Sequence, residues 1–166
     1  MADLGDPSAR SDGPGRSRWC AELIAVGSEL LGGDGVDTNS AWIAARLAEI
    51  GVDVERHTTI GDDVDRIAAT VGESCARADA VVVTGGLGPT QDDLTRLAIA
   101  RVAGVGLERL DGLVRHVTGY FQRRGRVMPS RNLVQADLPA GAQVLEPVGT
   151  AAGFAVEVGG SVVYCV

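Results

Sequence analysis

Ala80-Val81-Val82-Val83 runs through Thr84 into Gly85-Gly86-Leu87-Gly88-Pro89-Thr90-Gln91-Asp92-Asp93-Leu94-Thr95, and this junction constrains the fold more than any other stretch. A short apolar run reads as a buried strand, and Leu94, Leu97, Ala98 and Val102 recur at helical spacing beyond the turn. A buried strand feeding a helix through a glycine-rich turn is the unit of a parallel α/β sheet. Backbone N–H groups and the positive end of a helix dipole attract phosphate at such a turn. Asp92 and Asp93 would repel it unless a divalent cation such as Mg²⁺ lies between.

A simpler reading makes Thr90-Gln91-Asp92-Asp93 a capping box, with the Thr90 hydroxyl on the Asp93 N–H and Asp93 reaching back. That accounts for Thr90 and one carboxylate, but not for three glycines, Pro89 or the second carboxylate. A dinucleotide fingerprint starting at Gly86 fails because Gln91 stands where the last glycine belongs. A P-loop is excluded outright, since all 15 basic residues are arginine and the motif needs lysine.

The rest of the chain supplies the frame. Residues 1–19 are rich in Ser, Gly, Asp, Pro and Arg without periodicity, which predicts a disordered leader before a single domain over 20–166. Cys20–Val26, Val52–Ile60 and Ala80–Thr84 read as strands, and Gly27–Gly35 as a loop. Helices are expected over Ala41–Ile50 with Ile43, Leu47 and Ile50 inward, after Asp62-Asp63, and over Asp92–Ala103. A fourth helix carries Leu110, Leu113, Val114, Val117 and Phe121 and stops at Gly125; Ser130–Ala136 is a short helical candidate. Val144, Phe154–Val158 and Ser161–Val166 read as strands, the last two joined by Gly159-Gly160 in a type I′ hairpin. The expected class is α/β, a three-layer α/β/α sandwich on a mostly parallel, mixed sheet. The chain stops inside its last expected strand, so the domain is expected to be cut short at its C-terminus.

Strand ends place the other candidates. In a parallel sheet the ends of the first and third strands share one edge, so Gly27-Ser28-Glu29 faces the same side as the glycine turn. Glu29 could then join Asp92 and Asp93 around a divalent cation. Asp37-Thr38-Asn39-Ser40 reads first as an N-cap cluster, with ligand contact as the lesser alternative. His57 and His116 stand apart from each other and from any cysteine pair. Arg123, Arg124 and Arg126 complement a helix dipole, while polar and structural roles for Asn132 and Gln135 stay open. No Ser-His-Asp or Cys-His set can be built, which argues against covalent catalysis.

Charge and cysteine content narrow the partners. A net charge of −7 argues against nucleic acid and anionic membranes and leaves a small phosphorylated ligand. Cys20, Cys75 and Cys165 are odd in number and widely spaced, which indicates neither a disulfide framework nor a zinc site and suits a reducing cytoplasm. No apolar run has membrane-spanning length, and the N-terminus lacks a signal-peptide core.

These runs resemble the N-terminal domain of the competence/damage-inducible CinA proteins, within the molybdopterin-binding domain superfamily. The resemblance is carried by Ala21 to Leu31, Val36 to Trp42, Arg56 to Asp63, Val83 to Thr95, and Pro147-Val148-Gly149-Thr150-Ala151, and spans 20–166. It implies the three-layer fold and a homo-oligomer. For the CinA branch it implies divalent-metal-dependent hydrolysis of ADP-ribose to AMP and ribose 5-phosphate. By resemblance to relatives that adenylate molybdopterin, Asp93 serves metal and nucleotide; by resemblance to another branch, Glu29 lies in the ligand site. The implied set is Asp93 and Asp92 as catalytic, Asp93 and Glu29 as metal ligands, and Gly27, Ser28, Glu29, Asp37, Thr38, Asn39, Gly85, Gly86, Gly88, Pro89, Thr90 and Thr95 as ligand-binding. The sequence departs from the family at Leu31-Gly32-Gly33-Asp34-Gly35, at Glu146 and at Ala152, and the family's Pro-Gly-Val-Pro loop is expected directly after Val166. The alternatives are a molybdopterin-binding or adenylating domain and a non-catalytic or inactive fragment.

Overall fold

The structure, a computed structural model, describes residues 18–166; the expected leader lies outside the described residues except for Arg18 and Trp19. Its centre is a six-stranded mixed sheet. The strands are β1 (Cys20–Val26), β2 (Asp53–Ile60), β3 (Ala80–Thr84), β6 (Gln143–Val144), β7 (Phe154–Val158) and β8 (Ser161–Cys165), in the order β2-β1-β3-β8-β7-β6. β2, β1, β3 and β8 run parallel, and β7 is antiparallel to both β8 and β6. The β7–β8 hairpin turns at Gly159 and Gly160, both at positive φ as a type I′ turn requires. A separate antiparallel pair, β4 (Leu107–Arg109) with β5 (Asp137–Pro139), was not expected. Three residues are too few to display a two-residue period.

Alternation along the strands defines two faces. Ile24, Val26, Val81, Val83, Val163 and Cys165 point into the main core, beneath α3 (Val64–Cys75), α4 (Thr95–Val102) and α5 (Asp111–Gln122). There Ile67, Val71, Ala98, Ile99 and Phe154 are almost wholly buried. The opposite face carries Ala80, Val82, Thr84, Tyr164 and Val166. It is covered only in part, by α2 (Thr38–Glu49), which rests mainly on β1 and β2. Beside α2 an apolar groove of about 640 Å³ stays open between Trp19, Trp42, Val82 and Tyr164. The expected inward face of α2 holds for Ile43 and Leu47, which are half-buried and line the groove, but Ile50 is 74% exposed and Ser40 is the helix's sole fully buried residue.

Two further expectations change. Residues 28–32 form a short helix, α1 (Ser28–Gly32), rather than loop. The third long helix starts at Thr95, not Asp92, and Leu97 is exposed rather than inward, while Ala98 is buried as expected and Ile99 beside it. Among the described residues, no helix is long and apolar enough to cross a membrane.

Candidate functional site

The ends of β1, β2, β3 and β8 meet at one edge, and the turns leaving them are bonded together. The Gly27 N–H donates to the Ile60 carbonyl at 2.9 Å, closing the end of β1 on the end of β2. Ser28 and Asp62 exchange two bonds: the Ser28 N–H donates to Asp62 Oδ2 at 2.9 Å, and the Asp62 N–H donates to Ser28 Oγ at 3.2 Å. Ser28 therefore joins two turns, and Asp62 is a partner that the sequence reading had treated only as a helix start.

The glycine turn is shaped from within. Gly85 and Gly86 have φ of +90° and +66°. A Cβ on Gly85 would collide with the Val26 carbonyl oxygen, and one on Gly86 with the Thr95 hydroxyl. Thr95 is fully buried; its hydroxyl donates to the Gly85 carbonyl at 2.8 Å and its N–H to the Gly86 carbonyl at 3.2 Å. Asp93 accepts the Gly88 N–H on Oδ1 at 2.8 Å, and the Thr90 N–H and hydroxyl on Oδ2 at 2.7 and 2.6 Å. The capping box is thus half right: Asp93 reaches back to Thr90, but the Thr90 hydroxyl donates to that carboxylate rather than accepting the Asp93 N–H. Because Asp93 folds onto the residues before it, 90–93 form a turn and α4 starts later.

A buried arginine completes the turn. Arg96, 5% exposed, donates to the Leu87 carbonyl at 2.5 Å and the Gly88 carbonyl at 2.8 Å. Burial lowers its pKa, against the nearby charges of Asp93 and Asp137. Burial alone would raise the Asp93 pKa, but the bonds from Thr90 and Gly88 and the charge of Arg96 outweigh it and hold the carboxyl below its ordinary value. The sequence reading missed Arg96; its one signal is a cation placed where the helix turns toward the core.

The remaining candidates divide. Asp37 caps α2, accepting the Ser40 N–H at 2.9 Å, and the Thr38 N–H donates to the Val36 carbonyl. Asn39 borders the apolar groove rather than the glycine turn. Pro89 is half-buried within the turn. Glu29 is exposed on α1 and folds its carboxylate over Gly27. Asp92 is exposed and makes no hydrogen bond or ion pair among the described residues. The three-carboxylate cluster of Glu29, Asp92 and Asp93 is corrected: among the described residues, no three His, Cys, Asp or Glu side chains converge on a metal position. Asp93 has used its acceptor sites on the turn, apart from one lone pair on Oδ1. Asp92 alone still fits a cation that takes one or two carboxylates and draws its other ligands from water and phosphate, as Mg²⁺ does. The Gly86 and Leu87 N–H groups make no backbone bond among the described residues, leaving donors for an anion. Burial pushes the Cys75 thiol up to about 11 and Cys165 higher still, so neither is a nucleophile.

A family model described as "Probable molybdopterin binding domain" matches residues 22–166. The chain belongs to this family. Within the molybdopterin-binding domain family it is similar to a "CinA-like protein" of Frankia casuarinae, 51% identical over 87% of this chain and 35% of the relative. A "Putative competence-damage inducible protein" of Halothermothrix orenii is 46% identical over 82% of this chain and 33% of the relative. The chain therefore spans about a third of the length of these relatives. Among solved structures, CinA from Thermoplasma acidophilum superposes with a TM-score of 0.81 at 33% identity, covering 89% of this chain and 87% of that one. MoaB, a molybdopterin biosynthesis enzyme from Thermus thermophilus, shares the fold at a TM-score of 0.57 and 18% identity, covering 89% of this chain and 80% of that one.

Proposed function

We propose that this domain binds a phosphorylated nucleotide at the shared strand edge and hydrolyses the diphosphate of ADP-ribose to AMP and ribose 5-phosphate. The observation that carries this reading is the Gly85–Asp93 turn, held rigid by Asp93 and Arg96 with the Gly86 and Leu87 N–H groups unbonded beside it. Those two donors receive a phosphate oxygen, and the turn needs no reorganisation to present them. Asp92, which makes no structural bond, would take a divalent cation that draws its other ligands from water and phosphate. When bound, that cation polarises phosphorus and lowers the pKa of water. Asp92, free of structural bonds, also suits orienting the attacking water. Self-association and a reducing cytoplasm belong to this reading, and sedimentation of the purified chain tests the first.

The test is turnover of ADP-ribose with Mg²⁺, following AMP release by chromatography. Wild-type release of AMP that chelation abolishes is expected. Failure of folded protein to release AMP with Mg²⁺ or Mn²⁺ sinks the hydrolase. A second reading, a pterin phosphate on the same turn, is favoured by the family's description as a molybdopterin-binding domain. Saturable binding of molybdopterin without ADP-ribose turnover would select it.

A further inference from the structure

The loop before β7 is tied down at both its neck and its tip. The Leu145 N–H donates to the Gly153 carbonyl at 2.9 Å, closing residues 145–153 at the neck. Val83, Cys165 and Phe154 are register partners across β3, β8 and β7. Gly85 and Gly153 therefore leave the same edge two strand spacings apart, about 9–10 Å. Between them lies Val166, whose N–H donates to Val83 and whose carbonyl accepts the Gly85 N–H. The glycine turn and the 145–153 loop thus flank the end of β8 at a separation that suits a phosphorylated ligand.

Two groups fix this loop from below. His116 Nε2 lies 2.8 Å from the Gly149 carbonyl, and a carbonyl only accepts, so Nε2 carries the hydrogen. In the 3-10 helix Ser130–Ala136, Asn132 Nδ2 donates to Gln135 Oε1 at 2.9 Å and Gln135 Nε2 donates to Thr150 Oγ1 at 3.1 Å. Asn132 and Gln135 are 6% and 2% exposed, so this chain of bonds runs from the interior to Thr150. Thr150 Oγ1 accepts from below, which turns its own hydrogen away from Gln135. Among the described residues no acceptor takes that hydrogen, and Thr150 is partly exposed.

We infer that the Thr150 hydroxyl is a phosphate-binding donor on the far side of the site from Gly86 and Leu87, and that Gln135 is the positioning residue that directs it. The inference rests on the proposed phosphate site at the glycine turn. A diphosphate lying across Val166 takes the backbone donors at one end and the Thr150 O–H at the other. Gln135 also restricts the ligand chemistry: a hydroxyl whose acceptor site is filled recognises an acceptor such as phosphate, not a donor.

The test titrates ADP-ribose and, separately, inorganic pyrophosphate, each with Mg²⁺, into the full chain by calorimetry, using wild type, Thr150→Val, Thr150→Ser, Gln135→Glu and the Gln135→Glu/Thr150→Val pair. Losing one hydrogen bond to a charged group weakens binding roughly 10- to 100-fold, so Thr150→Val is expected to fall in that range and Thr150→Ser to stay near wild type. Gln135→Glu keeps the bond from Asn132 but draws the Thr150 hydrogen onto its carboxylate. It should therefore weaken binding like Thr150→Val, and the double variant should lose no more. Additive losses would show Gln135 to be structural and overturn its assignment. Unchanged binding by Thr150→Val overturns the Thr150 assignment and leaves the hydrolase reading standing. Wild-type binding of pyrophosphate but not ADP-ribose, with the Thr150→Val loss, upholds Thr150 and sinks ADP-ribose as substrate. Binding of neither by folded wild type overturns both.

Discussion

Asp93 and Arg96 grip Gly88 by its two polar ends: the carboxylate accepts the Gly88 N–H at 2.8 Å while the guanidinium donates to the Gly88 carbonyl, also at 2.8 Å. Three residues apart in sequence, the two charges hold a turn that has no regular secondary structure of its own.

Removing the cation should loosen that turn. Arg96→Met keeps the stem but removes two charge-assisted bonds and leaves the Leu87 and Gly88 carbonyls unpaired. A loss of about 2–4 kcal/mol is expected from urea unfolding. Arg96→Lys should rescue little, because one ammonium lacks the guanidinium fork. Full rescue by lysine would contradict the clamp.

The adjacent aspartates should separate cleanly. Asp93→Asn removes a carboxylate that accepts three bonds, and should lower stability by about 1–3 kcal/mol as well as activity. Asp92→Asn touches no structural bond, so its melting temperature should match wild type while Mg²⁺-dependent turnover disappears. Equal effects of the two substitutions on stability would refute the division of labour.

Glycine substitutions should differ by site. Gly85→Ala places Cβ against the Val26 carbonyl at φ +90°, where neither backbone can yield easily, and should cost upwards of about 2 kcal/mol or prevent folding. Gly112, in the first turn of α5, has open space around its missing side chain. Gly112→Ala should stabilise by about 0.5–1 kcal/mol. Thermal melts of the pair decide it.

Acid should destabilise the fold through two carboxylates. Glu22 on β1 is buried; hydrogen bonding from Arg77 first, then the Ser74 hydroxyl and the charges of Arg77 and Arg56, outweigh its burial and lower its pKa. Asp93 is lowered as well. A folded pKa below the unfolded one gives stability that is complete above the unfolded value, about 4, and is lost as pH falls through the folded value. Urea midpoints should therefore hold steady at neutral pH and decline below about pH 4. Glu22→Gln should flatten that decline and lower the urea midpoint at neutral pH, because the amide loses the charge that Arg77 and Arg56 face.

The sheet was legible because its strands announce themselves: Ala80–Thr84 has a continuous apolar run, and Gly159-Gly160 allows few turns other than the one observed. The glycine turn was legible as a site for a partly different reason than its chemistry. Gly85, Gly86 and Gly88 are required by contacts with Val26, Thr95 and Asp93, which are contacts of the fold whatever ligand follows. What escaped the sequence depends on pairings distant along the chain. Ser28 with Asp62 lies across 34 residues, and His116 with Gly149 across 33, and no local pattern encodes either. Arg96 escaped because a lone arginine in an amphipathic helix ordinarily faces water. Ile43 and Leu47 on α2 face the sheet as expected yet stay only half-buried, because the groove leaves that helix with little to bury against.

That groove has an optical consequence. The chain has two tryptophans, and both Trp19 and Trp42 line the same apolar channel, on the opposite face of the sheet from the main core. Intrinsic emission above 295 nm excitation is therefore a channel-specific signal. An apolar probe entering it would shift the spectrum, whereas occupancy of the glycine turn alone would leave the indoles dark to the event.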